Sequence, residues 1–210
     1  MSRFETSKFV RDDSVMNKEC LISACQKLKW KYQVIGDELY VTDIGNEQPF
    51  FGEYALMLKG NKVTYNSYYL GEANLYVNKL KDSYSELHIE YSKNLVINQF
   101  KKKGFTFKSN ESFIPNETEK YSFIMVGRSK IKSEPEPIGQ IKFVILDDGT
   151  VISDSNYLPE DVNKRAHEAM DSIDVNFNSK RVMTKKEIPY KYRNRLSTVN
   201  AQEKNKLKSK

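Results

Sequence analysis

Scarcity governs the first reading of this chain. Its 210 residues include only 2 cysteines, 2 histidines, 1 tryptophan and 9 glycines. Cys20 and Cys25 lie in a segment with helical spacing, well over about 100° apart around the axis. An intrahelical disulfide is therefore not expected. The pair reads as small buried hydrophobes in a reducing compartment. The glycines form neither G-x-x-x-x-G-K-[ST] nor G-x-G-x-x-G, so no phosphate-cradling loop is expected. Nucleotide chemistry would have to come from a partner. There is no H-E-x-x-H, C-x-x-C or G-x-S-x-G, and His88 and His167 fall in different helical segments. The expectation is no cofactor, no metal and no catalytic residue. No apolar run approaches the ~20 residues of a membrane helix. The opening Met1-Ser2-Arg3-Phe4-Glu5 holds no apolar signal segment. These features lead to the expectation of a cytoplasmic protein, or one in another reducing compartment such as the plastid stroma.

What is present is charge, unevenly placed. The formal net charge is +6. Residues 180–210 carry eleven basic side chains against Glu187 and Glu203, a net of +9, which leaves −3 on residues 1–179. The chain reads as a slightly acidic body with a basic arm. The arm contains Pro189, Tyr190 and Tyr192 and lacks a sustained apolar face, so it is expected to be disordered when free. Its cations Lys180, Arg181, Lys185, Lys186, Lys191, Arg193 and Arg195 are candidate contacts for nucleic acid or an acidic protein partner.

The body alternates strand and helix signals. Phe4–Val10 reads as a strand and Asp12-Asp13-Ser14 as capping chemistry. Val15–Trp30 has helical spacing through Leu21, Ile22, Ala24, Cys25 and Leu28. Residues 31–35 and 38–42 flank Gly36-Asp37 as a hairpin, and Tyr54–Leu58 and Val63–Leu70 flank Lys59-Gly60-Asn61-Lys62. A looser stretch after Gly71 precedes a helix over Tyr84–Lys103, closed by lysines and Gly104. Strands follow at Phe105–Ile114 and Tyr121–Arg128. Residues 131–139, with Pro135 and Pro137, read as a linker. Gln140–Leu146, Asp147-Asp148-Gly149 and Thr150–Ser153 form a second hairpin, and a helix runs from Leu158-Pro159-Glu160 to about Ile173. The expected organisation is α+β. Residues 1–130 form a ferredoxin-like antiparallel sheet with two helices, 140–178 a small ββα module, and 179–210 the basic tail.

The acidic pairs Asp12-Asp13, Asp147-Asp148, Glu134 with Glu136 and Asp171 with Asp174 each read as cap, turn, linker or helix-end charge. The tyrosines from 65 to 84 sit among Lys62, Lys79 and Lys81. Tyr65, Tyr68 and Tyr69 are a candidate docking or base-stacking face, against the plainer reading of rings that cover a sheet.

Several stretches carry a family likeness. Met1-Ser2-Arg3-Phe4, the helix ending Cys25-Gln26-Lys27-Leu28-Lys29-Trp30, Glu90-Tyr91-Ser92-Lys93, Lys103-Gly104-Phe105 and Tyr121–Arg128 are similar to one family. This is the hypothetical chloroplast and cyanobacterial reading-frame family 35, domain of unknown function 1257. The resemblance covers roughly residues 1–130. Arg3 stands where the family has His, Lys29-Trp30 where it has a small pair, and Glu90-Tyr91-Ser92 where it has Arg-Tyr-Ala. Residues 140–175 resemble a second small uncharacterised module but lack its Gly and Cys after the hairpin. The resemblance implies a partner, an AAA+ ATPase of the MoxR or chloroplast type, and supplies no catalytic residue. The expected function is a non-catalytic accessory or adaptor protein of such a complex or a larger assembly. The alternative is a nucleic-acid-associated protein acting through its basic arm.

Overall fold

The computed structural model describes residues 4–10, 16–45, 53–67, 70–131, 138–155 and 158–177. The chain divides into a unit of residues 1–179 and a unit of residues 180–210. The second lies outside the described residues, and with it the seven candidate cations of the arm.

The first unit is mixed α+β, with two antiparallel sheets and three helices. Its opening half holds β1 (Phe4–Lys8), α1 (Lys18–Lys27), β2 (Lys31–Ile35), β3 (Glu38–Asp43), β4 (Leu56–Lys59) and β5 (Lys62–Asn66). Then come α2 (Ala73–Lys102), β6 (Phe105–Ser109), β7 (Glu119–Arg128), β8 (Ile138–Leu146), β9 (Val151–Ser155) and α3 (Glu160–Phe177). One sheet has the order β1-β5-β4-β3-β2, the other β6-β7-β8-β9. The sequence reading puts the strands of residues 4–128 into one ferredoxin-like sheet; the strand orders distribute them over two. β7 and β8 pair from Glu119↔Leu146 to Arg128↔Ile138. The expected linker at 131–139 therefore ends earlier, with Ile138 and Gly139 already in β8, and residues 138–177 supply half of a sheet and its helix.

Alternation explains the sheets. In the first, Leu39, Val41, Leu56, Leu58, Val63 and Tyr65 share the inward face under α1 and the first half of α2. In the second, Phe105, Phe123, Met125, Ile141, Phe143 and Ile145 point inward against the second half of α2 and against α3. β7 and β8 place Gly127 opposite Gly139. A Cβ on either would stand 2.8 or 2.9 Å from the Val162 Cγ1, so α3 sits directly on bare sheet backbone.

α1 begins one residue after Asn17, whose Oδ1 accepts the Cys20 N–H at 3.0 Å. Asn17 is the cap; Asp12-Asp13-Ser14 fall outside the described residues. At the other end, the Trp30 N–H reaches the Cys25 carbonyl and the Lys29 N–H that of Gln26. This is a Schellman closure with Lys29 in the left-handed region, φ 58.

α2 spans 30 residues and serves both cores. Its buried positions run Ala73, Val77, Leu80, Tyr84, His88, Ser92, Val96 and Phe100. A step of four residues overshoots one turn by about 40°. Four such steps from Tyr84 to Phe100 carry the buried face about 160° round the helix. The helix thus turns one side to the first core, up to Tyr84, and nearly the opposite side to the second, from Val96.

Candidate functional site

The residues singled out from the sequence do not converge. Tyr65 is 5% exposed on the inward face of its sheet, its hydroxyl donating to Glu5 and Asn74 at 3.4 and 3.3 Å. Burial pushes its phenol up. This corrects its reading as a docking or stacking face: the ring lies on the same face as Val63, and that face is the one the helices bury. Tyr68 and Tyr69 lie outside the described residues. Cys20 and Cys25 are buried free thiols, pushed up to about 11 and about 12 by desolvation.

The middle of α2 makes a buried polar junction that sequence reasoning missed. The His88 Nδ1 stands 2.7 Å from the Asp148 carbonyl oxygen. A carbonyl only accepts, so Nδ1 carries the proton. One turn on, the Ser92 hydroxyl donates to the Gly149 carbonyl at 2.8 Å. The β8–β9 turn fits here because Gly149 has φ +84 and no Cβ, which would lie 2.4 Å from His88 Nδ1. Tyr84, Tyr91 and Phe177 surround the imidazole with ring centroids 5.2 to 6.3 Å away. The Tyr84 hydroxyl accepts the Asn17 N–H at 2.9 Å, which links the start of α1 to the same cluster. Desolvation is the largest influence on His88 and lowers its pKa, outweighing the hydrogen bond to Asp148 and that residue's charge. A ring walled by aromatics and bonded through Nδ1 to a backbone carbonyl pins the helix to the β8–β9 turn. The signal was the 84, 88, 92 spacing, but its partners sit 60 residues away in a turn.

Arg165 does comparable work at the far end of α2. Its guanidinium donates to the carbonyls of Lys103 and Arg128 at 3.0 and 2.5 Å and lies over the Phe105 ring. Asp161 accepts from the Ser129 hydroxyl and the Lys130 N–H at 2.7 and 2.9 Å, and these bonds hold its carboxyl below the usual range. Among the described residues no group of three His, Cys, Asp or Glu could hold a metal ion, and no helix is long and apolar enough to cross a membrane.

The two outward sheet faces differ in where their apolar residues lie. On the five-stranded sheet Phe4 and Ile35, 58% and 62% exposed, stand on the two edge strands, and polar side chains between them pair with one another. Thr6 meets Thr64 at 3.1 Å, Lys59 pairs with Glu38 at 2.7 Å, and the Tyr40 hydroxyl also bonds Glu38. Among the described residues, the helices cover only the inward side of the four-stranded sheet. Its outward registers read Lys108–Ile124–Lys142–Asp154, Thr106–Val126–Gln140, Val144–Ile152 and Arg128–Ile138. Ile138 and Ile152 are 51% and 48% exposed, and Ile131, just beyond β7, is 61% exposed. Ile124, Val126 and Val144 lie half-buried between them. One corner is closed by Asn110, whose amide donates to the Ser122 hydroxyl at 3.0 Å. This aliphatic face with cations beside it is the candidate site.

No family model, curated protein or solved structure matches this chain.

Proposed function

We propose that this chain is a non-catalytic accessory or adaptor subunit that engages a protein partner through the outward face of the β6–β9 sheet. The observation that carries the reading is the aliphatic set Ile124, Val126, Ile138, Val144 and Ile152 on one face, neighbours along β7 and diagonally across β7–β8, with Lys142 and Gln140 between them. Single exposed aliphatics are ordinary; a set on one sheet face marks an interaction surface. The AAA+ ATPase is the partner favoured by the resemblance of residues 1–130 to the reading-frame family, and that resemblance alone supports the choice. A photo-crosslinking residue at position 126 of the full chain, in cells of the source, tests it. Position 64, on the outward face of the other sheet, is the control. A nuclease-resistant adduct with an ATPase from position 126 only supports both parts. An adduct with another protein keeps the docking face and removes the ATPase. Equal or absent adducts at both positions overturn the reading.

A second reading rests on the +9 of residues 180–210. The chain would then bind a phosphate backbone through Lys180, Arg181, Lys185, Lys186, Lys191, Arg193 and Arg195. Each neutralised phosphate steepens the fall of affinity with salt. Truncation after Asn178 should abolish a steep slope in a salt titration with single-stranded RNA; a flat slope for the full chain removes the idea.

A further inference from the structure

The docking reading leaves the partner's chemistry open, and the electrostatics of the face narrow it. Resting on that reading, we propose that the outward face of the β6–β9 sheet receives an amphipathic helix with acidic flanks from another protein. Ile124 lies between Lys108 and Lys142 in a single cross-strand row. Arg128 stands beside Ile138 at one end of β7. The only carboxylate among the outward strand positions from Ser122 to Arg128 and their partners is Asp154, next to Lys142. Aliphatic side chains set diagonally around Lys142, with Lys108 and Arg128 at the border, are complementary to an aliphatic stripe with Glu or Asp beside it. No aromatic ring points outward at these positions, so nucleic-acid bases would find aliphatic branches and nothing to stack on. A helix is about 10 Å across and covers roughly two strands spaced about 4.8 Å apart. The β7–β8 pair therefore offers a bed one helix wide, the counterpart of what α2 and α3 occupy on the inward side.

The test uses the full chain labelled at isoleucine δ1-methyls. The probe is a synthetic amphipathic peptide of about 18 residues with a Leu stripe and Glu flanks. Its scrambled isomer has the same charge. The amphipathic peptide should shift the methyls of Ile124, Ile138 and Ile152 and leave the inward Ile141 and Ile145 in place. The double variant Lys108→Glu with Lys142→Glu should weaken it by about tenfold or more, as should Ile124→Thr with Ile152→Thr. Equal binding of the scrambled peptide without those methyl shifts would mean attraction to the arm and overturns the proposal. Methyl shifts that follow protein concentration alone assign the face to a second copy and overturn it too. So does a preference for a Lys-flanked peptide or for single-stranded RNA at these methyls. If position 126 still crosslinks to a protein while the acidic peptide fails, only the partner chemistry is wrong. If both fail, the docking reading falls with it.

Discussion

His88 shows how much one side chain is asked to do. It is 9% exposed, lies among Tyr84, Tyr91 and Phe177, and its one assigned donor is given to the Asp148 carbonyl. Protonation would bury a charge, and burial lowers its pKa from the ordinary 6.5. The folded value is thus below the unfolded one. The stabilisation from the neutral ring is complete above about 6.5 and is lost as pH falls through the lowered folded value. Urea midpoints measured from pH 7.5 down to 5 should fall for the native chain and fall less for His88→Gln. An equal slope in both would assign the acid loss to other groups. The thiols give a second check at this scale. With Cys20 and Cys25 pushed up to about 11 and about 12, neither should react with an aromatic disulfide reagent at pH 8 until the chain unfolds. Their burial on α1 was legible from helical spacing. The pairing of His88 with a turn 60 residues away was not, because a local pattern holds no information on which loop a helix meets.

At the scale of elements, α1 carries a correctable cost. Lys29 takes φ 58 at the closing position where glycine is usual, and a side chain there costs on the order of 1 kcal/mol. Lys29→Gly should raise stability by about 0.5–1 kcal/mol in urea titration; no gain would mean the side chain earns its place elsewhere. The Gly127–Gly139 pair predicts the opposite sign. Alanine at Gly139 would force its Cβ to within 2.8 Å of Leu158 and 2.9 Å of Val162, so α3 must shift. The expected loss is about 1–3 kcal/mol, and Gly60→Ala is no control because its backbone is left-handed; Gly71→Ala, in open space, is. The start of α2 teaches why an element can be half seen. Tyr84 onward reads as helix because apolar residues widen its stripe. The stretch from Ala73 reads as loose because Asn, Lys and Asp dilute it, although Ala73, Val77, Leu80 and Tyr84 already lie on one side. The rotation of the buried face along α2 spreads its apolar positions round the axis, which blurs any single-face test.

At the scale of the molecule, α2 makes the two sheets of the first unit share one helix. The expected consequence is a single unfolding transition. Trp30 is the only tryptophan and belongs to the first core, whereas Phe100 belongs to the second. Phe100→Ala, at a cost of about 3–5 kcal/mol, should therefore lower the midpoint seen by Trp30 fluorescence together with that seen by far-ultraviolet circular dichroism. A Trp30 midpoint that stays put would show two independent cores. Sequence alone determined which residues alternate, where most turns fall, that the charge divides into an acidic-leaning body and a basic arm, and that the cysteines are buried. Those properties are set by neighbours within a few positions. Only the tertiary structure decided that Tyr65 is core, that β7 and β8 are neighbours, and that one sheet face sets aliphatic side chains among cations. Each of these depends on which strand lies next to which and on which face a helix covers. Such choices are fixed by burying surface between segments far apart in the chain, and no local pattern encodes them.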